Sequence, residues 1–331
     1  MNKTRIFFLL LLALLVLGNN GVLFEIFAAQ TSKPLDITIT SGPIGGGFYV
    51  VAGGIAEAIE RNIPNSKVTV MTGGSVGNTS RVNEGTADIG ITMDGVFLSA
   101  VEGIDPYEEK HANLQGLIFF GGIPMAWCLV NEDLPINSID ELKEKSFPIE
   151  LGTSTPLSSP ELATRRVLED YGITYDDIRS WGGKVTFGSY ADVTNLIKDG
   201  HLHAWMGPLF GTPAIEELVL TYKVKLLPVK EEVIDALKRY GYSKMIIEKG
   251  TYYFVNENTP FLAEKMILVV RKDLSDDIVY EITKIICENP EAIRGAGGLY
   301  ALYNPTQSYD IVGGPIHPGA EKYFKEVGYI K

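Results

Sequence analysis

Short runs of β-branched and aliphatic residues alternate along the chain with longer stretches whose apolar positions recur at helical spacing. Leu35–Thr40 (LDITIT), Lys67–Met71 (KVTVM) and Asp88–Thr92 (DIGIT) read as strands, with helices at about Phe48–Arg61 and Val76–Glu84 between them. The pattern shifts near Leu117–Pro124 (LIFFGGIP) and then resumes. Strands are expected at Ala126–Asn131, Pro148–Leu151, Val185–Phe187, Ala204–Met206 and Lys225–Leu227. Between them, Ser138–Lys143 reads as a short helix with Ser138 as N-cap and Glu141 in the capping-box position. Pro160–Tyr171 opens on a proline, which a first helical turn tolerates, and Tyr190–Asp199 follows. A strand at Met266–Arg271, a helix at Asp276–Glu288 and a last helix at Ala320–Val327 after PIHPG complete the reading.

Such alternation is the signature of α/β domains with mostly parallel sheets. A chain that builds one α/β lobe, then a second, and returns to the first would carry two crossovers and a hinge. The expected division is lobe I at residues 30–121 plus 252–331 and lobe II at 122–251, after a leader at 1–29. In that leader Lys3 and Arg5 precede the unbroken apolar run Ile6–Leu17, the pattern of an export signal. Ile26 and Phe27 stand two before Ala28 and Ala29, so there is no clean A-x-A site, and an uncleaved leader would act as a membrane anchor. Either way the expected location is extracytoplasmic.

Composition narrows the function. With 331 residues, 45% apolar and 21% charged, the chain has room for about two ordinary globular domains. A net charge of −12 without a basic cluster excludes a nucleic-acid partner, because binding to phosphates requires clustered Lys and Arg. Cys128 and Cys287 each lie in an apolar stretch and read as buried thiols. His111, His201, His203 and His317 lack zinc-site spacing, so neither a metal nor a cofactor is expected.

Three loops, Ser41–Gly47, Thr72–Ser75 and Gly152–Ser159, are rich in Gly, Ser or Thr, follow a predicted strand and open a helix. That is the carboxyl edge of an α/β sheet, where ligands bind. Each helix start offers unpaired N–H groups and the positive end of its dipole, so several converging starts favour a carboxylate or another anion. The hydroxyls of Ser75, Thr153, Ser154, Thr155, Ser158 and Ser159 supply further donors. Gly42, Gly45, Gly46 and Gly47 do not match G-x-G-x-x-G, and no Gly-Lys-Ser/Thr is present, which excludes the two common nucleotide loops. GGSVG does match the G-x-S-x-G elbow around Ser75, with His317 in the chain order a hydrolase would need, so an esterase is a rival reading.

The motifs also carry a family resemblance. ITSGPIGGGFYVVAGGIAEAI and VTVMTGGSVGNTSRVNEGTADIGIT, followed in order by SIDELK, SYADVTNLIKDGHLHAW, NPEAI and PIHPGAEKYFKEVG, resemble the TAXI-type solute receptors of tripartite ATP-independent periplasmic (TRAP) transporters. The resemblance implies a type II periplasmic-binding-protein fold, two α/β lobes with a ligand cleft. It also implies a non-catalytic monomer that passes a small carboxylate such as glutamate, a dicarboxylate or a keto acid to a membrane permease. The family's GG-x-YY loop falls on Gly45, Gly46, Gly47, Phe48 and Tyr49, and its GGS loop on Gly73, Gly74 and Ser75. Phe48 replaces a Tyr, Gly77 a usual Glu, and Met93 a residue often Gln before Asp94, which the resemblance places at the site. In the second lobe the Gly-rich family loop is here GTSTPLSSPE, and Trp205 in HAW either walls the cleft or packs in the core at a strand end. A receptor for an ABC importer or a sensor is the nearest alternative.

Overall fold

The computed structural model describes residues 34–331 except Pro43, Gly45 and Gly211; the expected leader lies outside the described residues. The chain begins β1 (Asp36–Thr40), α1 (Gly47–Asn62), β2 (Lys67–Met71), α2 (Ser75–Asn83), β3 (Ile89–Met93), α3 (Asp94–Glu102) and β4 (Leu114–Pro124). It continues through β5 (Trp127–Asn131), α4 (Asp140–Glu144), β6 (Glu150–Thr153), α5 (Ser159–Asp170), α6 (Tyr175–Ser180) and β7 (Lys184–Phe187). Then come α7 (Tyr190–Lys198), β8 (Ala204–Gly207), α8 (Pro213–Thr221), β9 (Val224–Leu227), α9 (Glu231–Leu237), β10 (Ser243–Ile247) and β11 (Thr259–Arg271). The chain closes with α10 (Asp276–Glu288), α11 (Glu291–Arg294) and α12 (Pro318–Glu326).

Two sheets result. The first runs β10-β11-β3-β1-β2, with β4 along the other edge of β11; the second runs β7-β6-β8-β5-β9. In the first, β1 is parallel to β2 and β3, whereas β11 is antiparallel to β3, β4 and β10. Burial explains the order. β3 (IGITM) is buried at every position and lies inside the sheet, whereas β2 (KVTVM) alternates exposed and half-buried residues and forms an edge. A core built on Ile39, Ile55, Ile59, Ile91 and Val269 fills the first unit. Two further clusters, one around Val130, Leu151 and Met206 and one around Trp127, Trp205 and Leu218, fill the second. Phe254, Val255 and Phe261, which follow the boundary expected at residue 251, belong to the Trp127 cluster.

The strand expected at Pro148–Leu151 is shifted to Glu150–Thr153, since Leu151, Gly152 and Thr153 all pair with β7. The last strand runs well ahead of Met266, because Ala263 to Arg271 pair with β4 while Thr259 to Ala263 pair with β10. β4 escapes sequence pattern: it carries two register shifts against β11, and Gly121 sits at φ 152°. The capping box at Ser138 is also modified. The Glu141 N–H reaches Ser138 Oγ at 3.4 Å, but the Glu141 carboxylate accepts from the Asn137 N–H at 2.9 Å. Cys128 and Cys287 are both buried and free. No helix among the described residues is long and apolar enough to cross a membrane.

Candidate functional site

The two glycine-rich loops of the first sheet are held by one buried amide. Asn78 on α2 donates to Ser41 O at 2.6 Å and to Ile91 O at 2.7 Å, and its Oδ1 accepts from Thr40 Oγ1 at 2.7 Å. It thereby ties together the ends of β1 and β3 and the start of α2. A Cβ on Gly73 would sit 2.0 Å from Asn78 Oδ1, so no larger residue fits beside this amide. Thr92 Oγ1 donates to Ser75 O at 3.0 Å, fixing the first residue of α2 to the tip of β3. At α1, a Cβ on Gly47 would approach Tyr300 Oη to 2.4 Å, so the small residue admits the Tyr300 ring against the helix start. Neither α1 nor α2 has a side-chain cap at its N-terminus, and in α1 the Tyr49 N–H turns back to Gly46 O at 3.0 Å.

On the second sheet, Thr153 Oγ1 and Thr164 Oγ1 both donate to Met206 O, at 2.9 and 3.0 Å. Ser158 donates its hydroxyl to Thr155 O at 2.7 Å and caps α5 by accepting from the Glu161 N–H at 3.4 Å. These hydroxyls are spent on setting the position of the α5 start.

The loops surround a cavity of about 260 Å³ lined by Gly42, Gly46, Gly47, Phe48, Gly74, Ser75, Ser158, Ser159, Pro160, Tyr190, Pro208, Thr212 and Tyr300, with Met93, Ile123, Met125 and Met266. The lining takes in residues at the starts of α1, α2, α5, α7 and α8, the first two beside the first sheet and the other three beside the second. Ser75 Oγ and Ser159 Oγ meet across it at 3.4 Å. Residues at five helix starts therefore line one space, two of those starts, α5 and α7, being capped by Ser158 and Ser189, and no charged side chain lines it among the described residues. Burial pushes the hydroxyls of Tyr190 and Tyr300 up, the latter to about 12, so both stay protonated donors.

Of the residues expected from sequence, Gly46, Gly47, Phe48, Gly74, Ser75, Ser158 and Ser159 line this cavity, and six do not. Tyr49 is half-buried and outside the lining. Thr153 and Ser154 are buried behind the loop, and Thr155 is exposed. Asp94 lies away from the lining. It is wholly buried, and its two oxygens accept from the N–H groups of Val312 at 2.9 Å and Gly313 at 2.5 Å, so it anchors the C-terminal segment to α3. Trp205 is likewise core: its Nε1–H donates to Pro208 O at 3.1 Å, and its ring meets Tyr190 edge-on at 5.8 Å.

Sequence reasoning missed Tyr190, Thr212, Tyr300, Met125 and Met266, and reached Met93 only through the family resemblance. Two had a signal. Gly188-Ser189-Tyr190 is a short strand–loop–helix junction of the kind already singled out, and Thr212-Pro213 is an N-cap followed by proline. Among the described residues the Ser75 hydroxyl meets the side chain of Ser159 alone, while His317 caps α12, its Nδ1 accepting from the Gly319 N–H and its Nε2 meeting Leu274 O. The elbow motif at Ser75 thus gains no histidine from this arrangement.

This architecture has relatives. The sequence signature of the NMT1-like family matches residues 39–328. The chain belongs to the NMT1-like family. Among solved structures, MatC from Rhodopseudomonas palustris with bound malate superposes with a TM-score of 0.52 at 12% identity, over 89% of this chain and 97% of that one. A TctC solute-binding protein from Polaromonas gives 0.51 at 17% identity, over 91% of this chain and 100% of the other. The periplasmic binding protein BugD gives 0.50 at 15%, over 88% and 94%. At these identities the likeness is one of fold: this NMT1-like chain has the two-lobed α/β fold of periplasmic solute-binding proteins.

Proposed function

We propose that this protein is an extracytoplasmic, non-catalytic receptor that holds a small carboxylate in the cavity between its two sheets and delivers it to a TRAP-type membrane permease. The supporting observation is the meeting of helix starts from both sheets at Ser75 and Ser159 around a cavity without charged side chains. First-turn N–H groups and positive dipole ends bind anions with no further charge required. An anion bound there touches both halves at once, so it favours the closed arrangement over an open one in which half those contacts are lost. A carboxylate ligand has precedent in the malate of MatC. The TRAP partner rests on the motif resemblance, and lobe I at 30–121 plus 252–331 with lobe II at 122–251 remains the proposed division.

Thermal unfolding against amino acids, dicarboxylates, keto acids and short-chain acids tests the binding function, because a ligand specific for the folded state raises the midpoint. A dose-dependent rise with a carboxylate is expected; no rise with any of them, from protein refolded free of bound solute, would contradict it. Solute uptake into vesicles carrying the partner permease tests delivery. Uptake driven by an ion gradient alone supports the TRAP assignment, and a requirement for ATP would replace it with an ABC importer.

A further inference from the structure

The cavity combines hydroxyls at helix starts with a strand-borne apolar wall. Its polar surface consists of backbone groups and the hydroxyls of Ser75, Ser159, Tyr190 and Tyr300, the first three at helix starts, while the Ser158 and Thr212 hydroxyls are turned to backbone carbonyls. Its apolar lining comprises Phe48 and Pro160 at helix starts, Pro208 after β8, and a strand-borne wall of Met93 at the end of β3, Ile123 and Met125 at the end of β4, and Met266 in β11. Backbone pairing fixes this wall: Met266 pairs with Met93 and with Gly121, and the Met125 N–H bonds Leu262 O at 2.7 Å. None of these side chains can accept a hydrogen bond from an ammonium at more than a thioether's weak strength.

Two ligand features are disfavoured by that layout. An ammonium would face positive dipole ends with no carboxylate to pair with, since Asp94 is wholly buried and engaged by Val312 and Gly313. A second carboxylate at the far end of a ligand would lie on thioether and aliphatic surface without a donor, and a desolvated unpaired charge is costly. Thioether walls accept irregular apolar shapes well. The volume of about 260 Å³ falls below the roughly 300–1,000 Å³ of pockets for drug-sized ligands, which restricts the tail to a few carbons.

We infer that the solute is a small monoanion with an apolar tail and no ammonium, its acid group at the helix starts and its tail on the wall formed by Met93, Ile123, Met125 and Met266. This inference rests on the receptor reading above and sharpens it. It separates this chain from receptors for glutamate and from receptors for dicarboxylates.

Three probes of one skeleton test it: hexanoate, norleucine, which adds an ammonium, and adipate, which adds a carboxylate. Each is titrated calorimetrically into the full-length chain after unfolding and refolding to strip bound solute, and the solute released by unfolding is identified by mass spectrometry. Hexanoate is expected to bind at least tenfold more tightly than norleucine or adipate. Met93→Ala should weaken hexanoate several-fold and leave propionate within about twofold. Norleucine or adipate binding as tightly as hexanoate, or release of an amino acid or a diacid, would overturn the inference and leave the receptor function standing. No binding of any probe and no released solute would overturn both. If the probes fail but a solute is released, its class decides: a monoacid with an apolar tail supports the inference and anything else overturns it.

Discussion

Ser75 Oγ and Ser159 Oγ lie 3.4 Å apart, the first at the start of α2 beside the first sheet and the second at the start of α5 beside the second. Two helix N-termini that meet in this way present like partial charges to each other, and an anion between them converts the repulsion into shared attraction. Ser75→Ala and Ser159→Ala should each weaken carboxylate binding by roughly five- to tenfold, about 1 kcal/mol for one hydrogen bond. If both hydroxyls hold the same acid group, the double variant will lose less or more than the sum by at least about 0.5 kcal/mol. Calorimetric titration of the four proteins measures this, and strict additivity would place the two serines on separate ligand groups.

Trp205 and Tyr49 should separate stability from binding. Trp205 is fully buried among Val193, Leu202 and Leu218, so Trp205→Ala is expected to destabilise the protein by about 3–5 kcal/mol. Tyr49→Phe should change neither stability nor affinity, whereas Tyr190→Phe removes a hydroxyl that lines the cavity and should weaken binding several-fold. Urea unfolding and ligand titration on the same preparations check all three. Loss of affinity in Tyr49→Phe would restore the role expected for it from sequence.

The strand–loop–helix grammar was legible because glycine permits the tight turn and serine supplies the cap where an apolar run gives way to a helix, and seven of the expected residues line the cavity. The setting of Asp94 was not legible, because sequence shows a carboxylate at a strand end but not the Val312 and Gly313 amides that return to bond it from the far end of the chain. The methionine wall was not legible for a related reason. Met93 and Met266 are ordinary strand residues until antiparallel pairing places them together, and apolar residues facing a cavity share the signature of those facing the core.

Arg165 and Arg166 both reach Asp105 but should differ greatly in worth. Arg165 pairs with the exposed Asp105 carboxylate at 2.7 Å and more loosely with Glu161 at 3.5 Å and Glu169 at 3.6 Å, each pair worth less than about 1 kcal/mol. Arg166 is buried, donates to Ser99 Oγ at 2.8 Å and Asp105 O at 2.6 Å, and lies 4.2 Å from the centre of the Tyr240 ring. It joins α5 to α3 and the turn after it. Arg166→Ala should cost several kcal/mol, because it opens a buried polar contact between the two halves. Chemical denaturation resolves the pair, and equal effects would contradict the assignment.

Glu264 predicts a pH dependence. It is completely buried in β11 with neither oxygen hydrogen-bonded, and burial pushes its carboxyl up to about 8, against the pull of Arg166 and with the help of Asp94. An unfolded glutamate ionises near pH 4.3. Between about 4.3 and 8 the folded chain keeps a proton that the unfolded chain has released, so stability falls as pH rises through that window. Glu264→Gln removes this slope, and relative to the wild type it should gain a few kcal/mol on going from pH 5 to pH 8. Urea unfolding at the two values measures the gain; a difference that does not change with pH would show that Glu264 ionises normally.

The central claim, that a carboxylate is held where the helix starts converge, is tested most directly by titrating hexanoate into the wild-type chain and into Ser75→Trp, whose indole would occupy the cavity. The account predicts saturable one-to-one binding to the wild type and at least a hundredfold loss in Ser75→Trp, with its cooperative thermal unfolding preserved. Equal affinity in the folded variant would contradict it, by showing that the ligand binds elsewhere.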